Sequence, residues 1–114
     1  TPLAALVLMN DPTFVEASRN LAERVLRENE ANSIRIDHLY LLICGRKPTT
    51  MEHRLLLRTL NDMLMDFRAD LSSAADLITV GESVYDKSLD IADLAAFTSL
   101  ANAVFCTDEA ITRN

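Results

Sequence analysis

Gly45-Arg46-Lys47-Pro48-Thr49-Thr50-Met51-Glu52 closes one helix and opens the next within a few residues. Gly45 suits the position just past a helix end, where a left-handed φ costs glycine nothing. Arg46 and Lys47 bring positive charge to the negative end of the preceding helix. Pro48 has no N–H and blocks continuation. Thr49 and Glu52 then have capping-box spacing: the threonine hydroxyl serves the Glu52 amide and the glutamate reaches back to the Thr49 amide. Every signal here concerns helix ends, and similar punctuation recurs along the chain.

Downstream, the box opens a helix that runs to about Ala69. Leu56, Leu60, Met63, Leu64 and Phe67 form its apolar stripe, and Leu55, Leu57 and Met65 widen it. That width predicts a central helix. Asp70 to Val80 reads as a short helix ending at Gly81, and Glu82 to Leu89 as a loop. Asp90 caps the last long helix, with Asp93 at its third position. There Leu94, Phe97, Leu100, Ala101, Val104 and Phe105 recur at helical spacing, while Ala95, Ala96 and Ala103 allow close helix approach. Thr107-Asp108-Glu109 either caps a final turn or frays.

Upstream, Ser33 is the expected cap of a helix from Ile34 to Cys44 that buries Ile36, Leu39, Tyr40 and Ile43. Glu28 to Asn32 is a polar break. Before it, Asp11 caps and Pro12 starts the clearest amphipathic helix. Phe14, Ser18, Leu21 and Val25, with Val15, Ala22 and Leu26, make one face. Glu16, Arg19, Glu23, Arg24 and Arg27 are placed mainly on the solvent side. Thr1-Pro2 would start a short apolar helix over Leu3 to Met9.

Composition agrees with the helical reading. The 114 residues include 49% hydrophobic and 25% charged residues, with only 2 Gly and 3 Pro. The expectation is an all-α fold: a single helical domain over residues 1–114, a compact bundle of about five to six helices in orthogonal or irregular packing. The net charge of -6 argues against nucleic acid, which rewards a cationic footprint, and against an anionic membrane surface. No apolar run reaches the roughly 18 residues of a transmembrane segment. Leu3 to Met9 is too short and lacks the basic flank of a signal peptide. The chain opens on Thr1 rather than Met, which predicts a segment cut or processed from a longer protein.

Site chemistry is sparse. Cys44 and Cys106 form no CxxC pair, so haem attachment and zinc-ribbon motifs are absent from the chain. Each reads as a small buried hydrophobe; a Cys44–Cys106 disulfide in an oxidising compartment is the alternative. His38 and His53 lie on different helices without metal-ligand spacing and read as solvated or structural. Asp62, Asp66 and Asp70 form an i, i+4 ladder whose repulsion costs about 0.2–0.5 kcal/mol per pair. A solvated face screened by Arg58 and Arg68 explains it. No calcium loop, phosphate-binding glycine loop or GxSxG elbow occurs around Ser72, Ser73, Ser83, Ser88 or Ser99. A paired-carboxylate site would need a supporting pocket. No catalytic, cofactor-binding or metal residue is nominated, and no cofactor is expected.

Four segments taken in order carry a family resemblance. They are Thr1-Pro2-Leu3 through Val7-Leu8-Met9-Asn10-Asp11-Pro12-Thr13-Phe14-Val15-Glu16-Ala17, then Gly45-Arg46-Lys47-Pro48-Thr49, then Val80-Gly81-Glu82, and Asp108-Glu109-Ala110-Ile111-Thr112-Arg113. This order resembles the C-terminal region of a planctomycete-type family catalogued as domain of unknown function 1553. The opening segment and the Gly-Arg-x-Pro-Thr junction are its most specific parts. Val104-Phe105-Cys106-Thr107 departs from the Leu-Asn-Leu usual before the final Asp-Glu. The resemblance implies the C-terminal helical part of a large protein, often with an upstream cytochrome-c-like module, and an exported or cell-envelope location. It brings no catalytic residue. Asn10, Asp11, Gly45, Pro48 and Thr49 match its motifs, and each already has a structural reason as cap or breaker.

Two functional expectations follow. One is a structural or protein-interaction module that docks on upstream domains of the same polypeptide or on another protein; an exposed apolar patch would support it. The other is an accessory wall of an active site completed upstream, in polysaccharide or redox metabolism; a pocket gathering His38 or His53 with carboxylates would favour it. A cytoplasmic partner-binding domain is a third, lesser option.

Overall fold

A computed structural model describes residues 11–107. Five helices follow in order: α1 (Pro12–Glu28), α2 (Asn32–Cys44), α3 (Thr50–Ala69), α4 (Leu71–Ile78) and α5 (Ile91–Thr107). Among the described residues there is no strand. The all-α bundle expected from the sequence is the observed fold. The expected helix over Leu3 to Met9 and the final turn at Asp108-Glu109 lie outside the described residues.

Local chemistry sets most helix ends. Asp11 Oδ1 accepts from the Thr13 amide at 2.8 Å, with Pro12 in the first turn of α1. The capping box of α3 is complete: the Glu52 amide donates to Thr49 Oγ1 at 3.2 Å, and the Thr49 amide donates to Glu52 Oε1 at 2.8 Å. Gly45 ends α2 with φ of 78° and donates its amide to the Leu41 carbonyl at 2.9 Å. Asp70 serves two helices. Its amide closes α3 onto the Asp66 carbonyl at 3.1 Å, and its Oδ1 caps α4 through the Ser73 amide, also at 3.1 Å.

The start of α2 differs from expectation. Ala31, not Ser33, is its N-cap residue, and no side chain bonds the cap. Arg35 holds this corner instead, donating to the carbonyls of Asn29 at 2.7 Å and Leu26 at 3.2 Å. Those are among the last carbonyls of α1, which helical geometry leaves without intrahelical donors. A side chain from the next helix therefore replaces a local cap, and the Ser33 hydroxyl is released for another partner.

The central helix is α5, not α3. It packs against all four other helices, and Leu94, Ala95, Ala96, Phe97 and Ala101 are fully buried. Its alanines let neighbouring helices approach closely around Phe97 and Leu100. α3 buries only Leu60 and Leu64 fully, and Leu55 and Met65 are 63% and 70% exposed. The width of its apolar stripe therefore marks two faces. One packs on the core; the other is bare.

A second correction concerns α1. Arg19 and Glu23, expected toward solvent, are buried at 1% and 7% exposure. The Arg19 guanidinium donates to the Ile78 carbonyl at 3.0 Å, to the Ser83 carbonyl at 3.2 Å and to Ser83 Oγ. Its Nε lies 3.5 Å from the Glu23 carboxylate. Glu16 accepts from the Ser83 amide at 2.6 Å, and Glu23 from the Asp86 amide at 2.7 Å. Arg27 reaches Asp86 at 2.9 Å. This polar ridge of α1 supplies the hydrogen bonds that the irregular segment between α4 and α5 cannot make to itself. Gly81, at φ of 95°, lets that segment pass so close that a Cβ there would lie 2.5 Å from Glu16 Oε1.

Candidate functional site

The α2–α3 corner gathers the chemistry. Ser33 and Asp37 stand one turn apart on α2, so their side chains share a face. The capping box sets where α3 begins and places His53 in its first turn. His53 Nδ1 lies 2.8 Å from Asp37 Oδ1, and His53 Nε2 lies 3.2 Å from Ser33 Oγ. A carboxylate can only accept, so Nδ1 carries the imidazole proton. Nε2 is then the acceptor in the neutral ring, and the Ser33 hydroxyl donates to it. The order is Asp37–His53–Ser33, with every donor and acceptor assigned by its neighbour.

This trio lines a shallow hollow of about 340 Å³, shared with Pro48, Thr49 and Thr50. Ser33 is exposed, and the His53 and Asp37 side chains are partly so. The first backbone bond of α3 runs from the His53 amide to the Thr49 carbonyl. The Thr50, Met51 and Glu52 amides therefore precede the intrahelical ladder. Thr49 Oγ1 takes the Glu52 amide. Thr50 begins the helix at the hollow's edge, where the macrodipole favours negative charge.

A second network locks the same corner. Arg46 donates to Glu52 Oε1 at 2.9 Å and Oε2 at 3.2 Å, and to the Tyr40 hydroxyl at 3.1 Å. Tyr40 in turn donates to Glu52 Oε2 at 3.0 Å. The guanidinium also sits 5.2 Å from the Tyr40 ring centre. The Arg46 bonds and the Thr49 amide hold the Glu52 carboxyl down to about 2, while burial and Glu52 push the Tyr40 phenol up. Both groups stay in one protonation state near neutrality, which suits a brace and not a proton shuttle.

Along the outer side of α3, Met51 and Leu55 are 78% and 63% exposed. With Glu52, Arg54 and Arg58 they line an open apolar hollow of about 320 Å³. Arg58, Asp62 and Met65 continue that side at helical spacing, all exposed.

The other sequence candidates are scattered. The Asn29 side-chain amide donates to His38 Nδ1 at 2.8 Å, which leaves Nε2 3.8 Å from Glu28. Asp62 and Asp66 are exposed, and Arg68 pairs with Asp93 at 3.5 Å. Cys106 is buried, which pushes its thiol up, Cys44 is half-buried, and the two are not joined to each other. Among the described residues no three His, Cys, Asp or Glu side chains cluster as metal ligands. None of their helices is long and apolar enough to cross a membrane.

Ser33 and Asp37 were missed by sequence reasoning, which took Ser33 for a cap. Their i, i+4 spacing on a helix face was the available signal. Its partner lies on another helix, where periodicity gives no distance.

Fold and corner together define a small all-α module with a polar serine–histidine–aspartate hollow beside an exposed apolar helix face. The family described as "Protein of unknown function (DUF1553)" matches residues 1–60, and the chain belongs to it. The matched span takes in α1, α2 and the first half of α3, hence both corner networks. No curated protein and no solved structure matches the chain.

Proposed function

We propose that the chain is a structural, protein-docking module of a multidomain cell-envelope protein, in contact with upstream domains of the same polypeptide. The observation that carries this reading is the outer face of α3. Met51, Leu55 and Met65 expose large apolar side chains on one side of a long helix whose opposite side is in the core. Met51 and Leu55 stand one turn apart and Met65 lies further along the same side, with the exposed charges of Arg58 and Asp62 between them, a mixed apolar and charged side that suits a partner helix laid alongside it. The exported location rests on the family resemblance alone.

Hydrogen exchange on the full polypeptide tests the docking. Amides of α3 gain protection there relative to the isolated chain, and the Leu55→Glu, Met65→Glu double variant loses that gain. Equal exchange in both settings overturns the reading. Cell fractionation tests the location, and recovery of the full polypeptide only in the cytosol overturns it.

The Asp37–His53–Ser33 hollow favours a second reading, an accessory wall of an active site. A wall that faces substrate stays open. Segments 33–37 and 49–53 should remain accessible to solvent in the full polypeptide, and burial of both against another domain ends this alternative.

A further inference from the structure

We propose that Ser33 is a nucleophile activated by His53, with Asp37 as positioning residue, and that it takes acyl groups from small carboxylic esters. The inference deepens the second reading above and is independent of docking on α3.

The hydrogen-bond order requires little rearrangement for the step. The Ser33 hydroxyl already points its proton at the His53 Nε2 lone pair, because Asp37 occupies the other ring nitrogen. As Ser33 Oγ bonds to an ester carbonyl carbon, its proton passes to Nε2 and the carbonyl oxygen gains negative charge. Thr50, which lines the hollow at the start of α3, brings an amide of suitable polarity to its edge. Collapse of the tetrahedral species breaks the ester C–O bond, and the leaving alkoxide takes the proton from Nε2. Water then adds to the acyl-serine with His53 again taking a proton. Collapse of this second tetrahedral species breaks the bond between Ser33 Oγ and the acyl carbon, Nε2 returns its proton to Oγ, and a carboxylic acid leaves.

The shape of the site sets the substrate class. The hollow is shallow, and its rim is Thr49, Thr50 and Pro48. Among the described residues its lining holds no large apolar side chain to grip a long acyl chain, so short acyl groups on exposed esters fit it. Thr49 is not the nucleophile because its hydroxyl caps α3. Glu52 is not the base because Arg46, Tyr40 and the Thr49 amide already donate to its carboxylate and leave it a weak proton acceptor.

A fluorophosphonate reagent, followed by peptide mapping, tests the assignment on the folded chain. The adduct is expected at Ser33, absent in Ser33→Ala and absent from unfolded protein. His53→Gln should slow its formation on the order of a hundredfold. Asp37→Asn should slow it as well, and Asp37→Glu should recover part of the rate. Circular dichroism melts of each variant separate loss of reactivity from loss of fold. No adduct at Ser33 in folded protein overturns the proposal, as does an adduct whose rate ignores His53. The Leu55→Glu, Met65→Glu variant, which leaves the opening turn of α3 untouched, should label at the unaltered rate, so failure of docking and failure of the nucleophile are read apart.

Discussion

Arg19 shows how much one side chain can carry. Its Nε faces the Glu23 carboxylate, and its terminal nitrogens donate to the Ile78 carbonyl at the end of α4 and to the carbonyl and hydroxyl of Ser83. Deleting one member of such a buried set costs about 3–5 kcal/mol, since the remaining groups lose partners without regaining water. Arg19→Ala should therefore lower unfolding free energy by that amount in urea titration; a change of about 0.5 kcal/mol, the scale of a surface substitution, would sink the account. The sequence placed Arg19 on the solvent face because a charged residue beside an apolar stripe usually is there. Its partners lie about sixty residues away, beyond the reach of any helical period. Ser18 tells the same story in miniature: its hydroxyl is buried and donates to Asn102 on α5. Thr49 and Asp11 were legible because a cap and the amides it serves lie within one turn.

Among the elements, α5 and α3 invite direct contrast. Phe97 is fully buried at the meeting point of the bundle, and Leu55 is 63% exposed. Truncation of a buried phenylalanine removes its transfer energy and leaves a cavity, together about 3–5 kcal/mol. Phe97→Ala should lose that much, whereas Leu55→Ala in the isolated chain should stay within about 0.5 kcal/mol. Equal losses would return α3 to the centre of the fold. The width of its leucine and methionine stripe favoured α3, because width in a sequence does not tell a buried face from a bare one. Packing rewards small residues where several helices converge, and the alanines of α5 allow that convergence. Near its end, Phe105 meets Phe14 of α1 edge-on, with ring centres 5.1 Å apart, a further tie between the first and last described helices.

At the scale of the whole molecule, acidic residues tie distant segments together, so stability should follow pH. Arg46 and the Thr49 amide hold Glu52 at about 2, against an ordinary 4.5. Ser88, then Arg27, holds Asp86 at about 2, against 3.8. Hydrogen bonds from Ser83 lower Glu16 as well. A carboxyl with a depressed folded pKa binds more protons unfolded than folded between the two values. Its contribution is complete above the unfolded pKa and is lost as pH falls through the folded one. Asp93, raised by burial and by neighbouring Asp90, has the opposite sign. Melting temperature should accordingly fall as pH drops from about 4.5 to about 2, and Glu52→Gln should flatten part of that limb. An unchanged acid limb in Glu52→Gln would show that the Arg46 brace does not contribute.

The helix ends at Asp11, Gly45, Thr49, Asp70 and Asp90 and the helical class follow from the sequence by itself. The interactions behind them close within one turn or depend on composition alone. The tertiary structure decided which helix is central, that Arg19 and Glu23 go inside, that α3 keeps a bare apolar side, and that Ser33, Asp37 and His53 meet. Each of these depends on distances between segments remote in sequence. Such distances are set by how side-chain volumes pack, and a one-dimensional pattern of residue types does not contain them.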